Sequence, residues 1–206
     1  SGKDWSFLSS PKMDGPIENI TTSTVDNVIA VTLSTKTHLV QIPSQQILQT
    51  INHDRLEPVM KFSPEGNILI ATITDHSAQG IANLWSVKTG KLIAQFESSS
   101  PIYDYGFSEN MDLFATTEKA GVINVWSITN EKLVNTFSLS GPAYYPRFDS
   151  QNKTLLVTYS PASVSGGLTG GYGVEYESRF AVLFNIETGE ELQTIEGQPD
   201  TNKATY

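Results

Sequence analysis

Short apolar runs separated by turn-forming residues recur along the chain. Segments such as 28–31 (VIAV) and 68–71 (ILIA) are rich in β-branched side chains, and Asn, Asp or Gly residues flank them. Such runs are typical of buried strands, whereas an amphipathic helix would repeat its apolar residues every three or four positions. No convincing helix of about ten residues or more is found. The pattern therefore predicts an all-β chain.

A segment of 14 residues occurs four times without gaps, beginning at His38, Asn83, Asn124 and Val182. Its third position holds an apolar residue that stays in register at spacings of 45, 41 and 58 residues: Val40, Trp85, Trp126 and Phe184. Each copy has two apolar stretches around a four-residue turn, which predicts a pair of strands. A second block, which carries Phe62, Phe107 or Phe148, precedes the last three copies and predicts two further strands. The chain thus divides into units of four strands at about 15–51, 52–96, 97–137 and 138–195.

A lone sheet of four strands has two apolar faces and buries them only against neighbouring sheets, so such units typically form rings. We therefore expect a β-propeller with about four blades of four antiparallel strands. Propellers usually have four to eight blades. The chain is then a tight four-bladed ring, a fragment, or a partial propeller completed by a second chain or a second copy. Residues 1–14 and 198–206 are expected to be tails or parts of further blades.

Two segments carry a family resemblance. FSPEGNILIAT with NLWSVKTGK, and FSENMDLFATTEKAGVINVWSITNEK, resemble the WD40 repeat. The likeness extends over about residues 15–197, but the repeats are divergent. Lys119 occupies the place of the family's buried Asp, and the family's His-Ser-Trp-Asp hydrogen-bond tetrad is missing. We therefore expect the blades to depend on apolar packing, with Trp85 and Trp126 as packing residues.

The WD40 resemblance implies a non-enzymatic scaffold for protein–protein interaction, a subunit of a multiprotein complex. The absence of Cys fits a reducing compartment, so the cytoplasm or nucleus is expected. Segments LLVTYSP and FNIETGEEL are similar to the propellers of translation initiation factors. The alternative is a propeller enzyme or small-ligand binder with a site in the central channel. Its candidate carboxylates do not occupy corresponding positions in the repeat: Asp26, Asp75, Asp104 and Asp112. A third hypothesis is a repeat unit whose purpose is self-assembly into a homo-oligomer.

Charge and composition narrow the classes of partner. The chain has 13 Lys and Arg against 22 Asp and Glu, a net charge of −9, and no Cys. A nucleic acid is not expected as the direct ligand, because such binding depends on cationic side chains that neutralise phosphates. No apolar run approaches the roughly 18 residues of a membrane span. The acidic excess either keeps the protein soluble or steers it toward a basic partner.

Cofactors and metals are not expected. Disulfides and thiolate metal sites are excluded without Cys. His38, His53 and His76 occur singly, without the spacing of zinc ligands. The Gly-rich segment 166–171 lacks the Lys of a phosphate-binding loop.

Partner-binding residues are sought among exposed aromatic side chains. Trp126 and Phe184 are 58 residues apart, a longer spacing than in the earlier units. The extra residues form an insertion, 160–178, between the second and third strands of the last unit. It is either a tolerated surface loop or a binding loop anchored by Tyr172 and Tyr176, with Arg179 beside it. Tyr103, Tyr105, Tyr144 and Tyr145 lie on predicted first strands, where half should face the core. Tyr103 and Tyr144 complete the predicted partner-binding set.

Overall fold

The computed structural model describes residues 13–23, 27–42, 44–53, 59–73, 80–161 and 180–197. These residues form sixteen strands and contain no helix, so the all-β prediction is confirmed. It follows that the described part of the chain has no helix of the length and apolarity needed to cross a membrane.

The strands form four separate antiparallel sheets of four strands, each in chain order. The first sheet contains β1 (Asn19–Thr22), β2 (Val28–Thr32), β3 (Lys36–Gln41) and β4 (Ile47–Asn52). The second contains β5 (Val59–Phe62), β6 (Ile68–Ile73), β7 (Gly80–Ser86) and β8 (Leu92–Ser98). The third contains β9 (Ile102–Phe107), β10 (Leu113–Glu118), β11 (Val122–Ser127) and β12 (Lys132–Ser138). The fourth contains β13 (Ala143–Phe148), β14 (Thr154–Tyr159), β15 (Phe180–Asn185) and β16 (Glu191–Glu196).

The chain divides into two compact units. The first comprises residues 1–73 and 82–94, and the second comprises residues 74–81 and 95–206. Strands β7 and β8 contribute residues to both units.

The core of the first unit is aliphatic, with one indole. Trp85 on the third strand of its sheet packs with Ile51, Met60 and Leu69, all of them buried. A smaller cluster joins Met13 to Val31, Leu33 and Val40. Nearby, Lys36 pairs with Asp14, and this hydrogen bond lowers the pKa of the Asp14 carboxyl. Residues 13 and 14 of the predicted tail therefore lie against the first sheet.

The core of the second unit contains stacked aromatic pairs. Trp126 on β11 stacks on Phe96 at 4.9 Å between ring centroids, and Phe137 stacks on Phe184 at 4.5 Å. Trp85 and Trp126 thus both lie on third strands, as their register predicted, Trp85 within an apolar cluster and Trp126 against Phe96. In each case a large side chain removes apolar area from water, which is the main favourable contribution to folding.

The third sheet combines the expected apolar packing with a buried hydrogen-bond network that the sequence did not predict. Glu118 on β10 is fully buried, and its Oε2 accepts hydrogen bonds from the Ser99 hydroxyl at 3.0 Å and from the Ser100 N–H and hydroxyl at 3.0 and 2.8 Å. Its Oε1 accepts from Asn124 Nδ2 at 2.7 Å, and Asn124 in turn accepts from the Thr136 hydroxyl at 2.8 Å. These bonds offset the desolvation of the buried carboxylate. Lys119, which the repeat alignment places at the family's acidic position, is exposed.

The insertion lies where the spacing predicted, because β14 ends at Tyr159 and β15 begins at Phe180. Residues 162–179 fall outside the described residues, as do 1–12 and 198–206.

Candidate functional site

Two of the five predicted partner-binding residues form a contact within the second unit. Tyr103 on β9 and Tyr144 on β13 stack with ring centroids 5.6 Å apart and planes inclined by 17°. Both side chains are half-buried. The other three predicted residues, Tyr172, Tyr176 and Arg179, lie outside the described residues.

Strands β9 and β13 are the first strands of their sheets, and a glycine lets them approach closely. A Cβ atom built at Gly106 would lie 2.3 Å from the carbonyl oxygen of Pro146, well inside van der Waals contact. Only glycine fits beside this backbone oxygen without displacing it. The close approach brings the tyrosine side chains of the two strands together.

Tyr145 has an unusual backbone conformation. Its φ is +52°, a left-handed value that bulky residues rarely adopt. The pairing of β13 with β14 shifts register between Tyr144 and Arg147, so Tyr145 lies within a β-bulge. Bulges redirect side chains, and here Tyr145 is 51% exposed. Its centroid lies 6.3 Å from that of Tyr144. Tyr103, Tyr144 and Tyr145 together are named the tyrosine cluster.

Asp104 holds the bulge in place. Its Oδ2 accepts a hydrogen bond from the backbone N–H of Tyr145 at 3.1 Å, and its Oδ1 accepts from the N–H of Tyr105 at 2.9 Å. One carboxylate therefore connects β9 to the strained residue on β13. Strain of this kind persists where surrounding contacts enforce it, and such positions concentrate at functional sites.

Tyr105 does not belong to the tyrosine cluster, because its ring packs against its own sheet. Its ring contacts Phe107 at 6.2 Å and Phe114 at 5.9 Å between centroids. Burial, with a smaller contribution from the Asp104 charge, raises the pKa of the Tyr105 hydroxyl. Of the four tyrosines on first strands, Tyr105 therefore packs against the aromatic rings of its own sheet, and Tyr145 is the most exposed.

The histidines inside the described residues make cross-strand or local contacts in the first unit. His38 Nδ1 lies 2.9 Å from the Thr50 hydroxyl, and His53 Nε2 lies 3.2 Å from the Thr37 hydroxyl. Among the described residues, no group of three or more His, Cys, Asp or Glu side chains is arranged to hold a metal ion. His76 lies outside those residues.

The candidate carboxylates of a central-channel site are likewise dispersed. Asp104 lies within β9, whereas Asp112 lies in the turn after that strand and accepts a hydrogen bond from Asn110 at 2.7 Å. Asp26 and Asp75 fall outside the described residues. The arrangement with the clearest capacity for binding is the tyrosine cluster, which combines exposed aromatic surface with a carboxylate.

Comparison with known proteins identifies related folds. No family model matches the chain, and no curated protein sequence matches it. The computationally designed protein Ika8 superposes with a TM-score of 0.65 at 16% identity, over 90% of this chain and 52% of its own. Hydrazine synthase from Kuenenia stuttgartiensis gives a TM-score of 0.58 at 14% identity, over 96% and 53%. The chain thus spans about half the length of either structure, and at these identities the likeness is one of fold alone.

Proposed function

We propose that the chain is a divergent WD40-like β-propeller segment that acts as a scaffold for protein–protein interaction. Four four-stranded antiparallel sheets follow one another along the chain, and each is in chain order from its first strand to its fourth. Their third strands carry Val40, Trp85, Trp126 and Phe184 in register. These features support consecutive propeller blades, because sheets of this kind bury both faces when they stack around an axis.

The observation that carries the binding role is the tyrosine cluster. A tyrosine ring offers a large contact area with few rotatable bonds, so tyrosines are enriched among the residues that dominate binding energy at interfaces. Tyr145 is half-exposed although it occupies a strained conformation, and Asp104 fixes that conformation. A rigid exposed aromatic ring loses little entropy when a partner binds.

The competing proposal is a small-ligand or catalytic site at a propeller channel. First strands lie nearest the channel of a propeller, and β9 and β13 are first strands. We favour the scaffold because the described candidate carboxylates are not brought together: Asp104 lies within β9, whereas Asp112 lies in the turn after that strand and accepts a hydrogen bond from Asn110.

Affinity capture with the whole chain tests the scaffold. The informative variant is Tyr145→Asn, because asparagine tolerates the left-handed conformation while removing the ring. The matched control is Leu133→Gln, which changes an exposed apolar residue on strand β12. We expect Tyr145→Asn to reduce captured partner at least tenfold and Leu133→Gln to leave it unchanged.

A second arm addresses the insertion and the ligand alternative. Deletion of residues 160–178 shows whether that segment adds to capture, and titration with divalent metals and nucleotides tests small-ligand binding. Capture that is unaffected by Tyr145→Asn, together with stoichiometric binding of a small ligand, would overturn the scaffold proposal.

A further inference from the structure

We propose that the tyrosine cluster binds an arginine side chain presented by a partner protein. This inference rests on the proposed function and gives the partner's chemistry. It follows from three features of the second unit: the ring geometry, the carboxylate beside the rings, and the charge of the chain.

The rings contact one another in a row, from Tyr103 to Tyr144 to Tyr145. Tyr103 and Tyr144 are nearly parallel, and Tyr145 is tilted by 41° against Tyr144. The face of an aromatic ring carries a negative quadrupole and attracts a cation placed within about 6 Å of its centroid. Tyr145, a 51% exposed residue, presents area to such a cation, and the half-buried Tyr144 lies beside it with ring centroids 6.3 Å apart.

Asp104 supplies a negative charge at the backbone of Tyr145, beside the cluster. A carboxylate has about four lone-pair positions. Two of these lone pairs on Asp104 accept hydrogen bonds from the N–H groups of Tyr105 and Tyr145. Each oxygen therefore keeps a lone pair that can accept a further hydrogen bond. Placing a neutral apolar segment over this carboxylate would remove it from water without compensation, and an acidic segment would be repelled. A cation avoids both penalties.

Arginine suits the site better than lysine. Its planar guanidinium stacks on aromatic faces and offers donors to a carboxylate at the same time, whereas the lysine ammonium is a more strongly hydrated point charge. The chain's own neighbouring cation, Arg147, donates to the carbonyl of Pro146 at 3.1 Å, next to it in sequence. With a net charge of −9, the chain as a whole also favours approach of a basic partner.

The test uses a glycine–serine heptapeptide with one central arginine. Its partner probe is identical except for citrulline, which keeps the shape of arginine and lacks its charge. Both are titrated into the isotopically labelled whole chain while amide chemical shifts are followed. We expect the amides of Tyr103, Tyr144 and Tyr145 to shift with the arginine peptide, and the citrulline peptide to bind at least fivefold more weakly. The affinity of a lysine peptide should lie between those of the arginine and citrulline peptides.

Two variants complete the experiment. Tyr145→Phe retains the ring face and should bind the arginine peptide within twofold of the original chain, whereas Tyr145→Asn should weaken binding at least fivefold. Equal binding of the arginine and citrulline peptides, or no chemical-shift change at the cluster, would overturn the inference. Because both peptides are titrated into the original chain, this comparison does not depend on the folding of a variant. If partner capture depends on Tyr145 but the arginine peptide does not bind, the inference fails while the scaffold stands.

Discussion

The carboxylate of Asp104 accepts a hydrogen bond from the backbone N–H of Tyr145 at 3.1 Å, across 41 residues of sequence. The same side chain accepts from the N–H of Tyr105 at 2.9 Å. It therefore satisfies two backbone donors on two strands.

Asp104→Asn removes one of these two acceptors. Asparagine has a single carbonyl oxygen, so its NH₂ group must face one of the two N–H donors. We expect the free energy of unfolding to fall by about 1–3 kcal/mol, the usual cost of leaving a donor without a partner. Urea denaturation measures the change. Asp112→Asn, in an exposed turn, is the matched control and should stay within about 0.5 kcal/mol. Equal stability of the two variants would contradict the role assigned to Asp104.

Glu118→Gln tests the buried carboxylate of the third sheet. The glutamine NH₂ must face either the donor of Asn124 or the donors of Ser99 and Ser100, since all of them point at Glu118. We expect a loss of about 1–3 kcal/mol in the free energy of unfolding. Lys119→Gln changes the exposed neighbour and should cost less than about 0.5 kcal/mol. Thermal and urea denaturation of the two variants give the comparison, and an unchanged Glu118→Gln would show that the network is dispensable.

Gly106→Ala tests the close approach of β9 and β13. The added methyl group would meet the Pro146 carbonyl oxygen at 2.3 Å, so one strand must move. Overpacking of this kind typically costs about 1–3 kcal/mol, and occasionally more. Gly15→Ala is the control, because the nearest side-chain atom to its new methyl group is 3.9 Å away. We expect that variant to change stability by less than about 0.5 kcal/mol. A Gly106→Ala protein as stable as the original chain would argue against this strand geometry.

Tyr105 makes stability depend on pH in the alkaline range. Burial, and then the Asp104 charge, raise the pKa of Tyr105 above the ordinary tyrosine value of about 10. In the unfolded chain the hydroxyl ionises near pH 10, while in the folded chain it keeps its proton. The unfolded state then binds fewer protons, so the free energy of unfolding is unaffected by this group below pH 10 and decreases above it.

Comparison with Tyr105→Phe isolates that contribution. The original chain should lose up to about 1.4 kcal/mol per pH unit above pH 10 relative to the variant, which has no hydroxyl to ionise. Urea denaturation between pH 9 and 11 measures both slopes. Parallel pH profiles would show that the Tyr105 hydroxyl ionises equally in the two states.

The strands and the packing tryptophans could be predicted because both depend on local pattern. Runs of apolar residues between turns gave the strand order, and the register of Trp85 with Trp126 placed both on third strands. The buried carboxylate could not be predicted in the same way. The repeat alignment leads to Lys119, whereas the buried residue is Glu118, whose hydrogen-bond partners Ser99, Ser100 and Asn124 lie elsewhere in the chain and are not marked by a local pattern.

Burial at a repeated position also depends on more than pattern. Ile51 and Ile195 are the same residue at the same place in the repeat, yet Ile51 is 2% exposed and Ile195 is 52% exposed. Ile51 and Ile195 occupy equivalent positions on the fourth strands of their sheets. What differs is the set of residues that surrounds each sheet. For the same reason the tyrosine cluster was only partly predictable. The aromatic residues of the first strands marked Tyr103 and Tyr144, but the exposure of Tyr145 follows from a bulge and a positive φ that tyrosine does not favour.

Site-specific photocrosslinking tests the binding role of the tyrosine cluster most directly. The photoreactive residue p-benzoylphenylalanine replaces Tyr145 in one preparation and Leu133 on β12 in the other, and crosslinked peptides are identified by mass spectrometry after capture from cell extract. We expect at least tenfold more crosslinked partner from position 145, at peptides containing arginine. Equal yields from the two positions, or no crosslink from position 145, would contradict it.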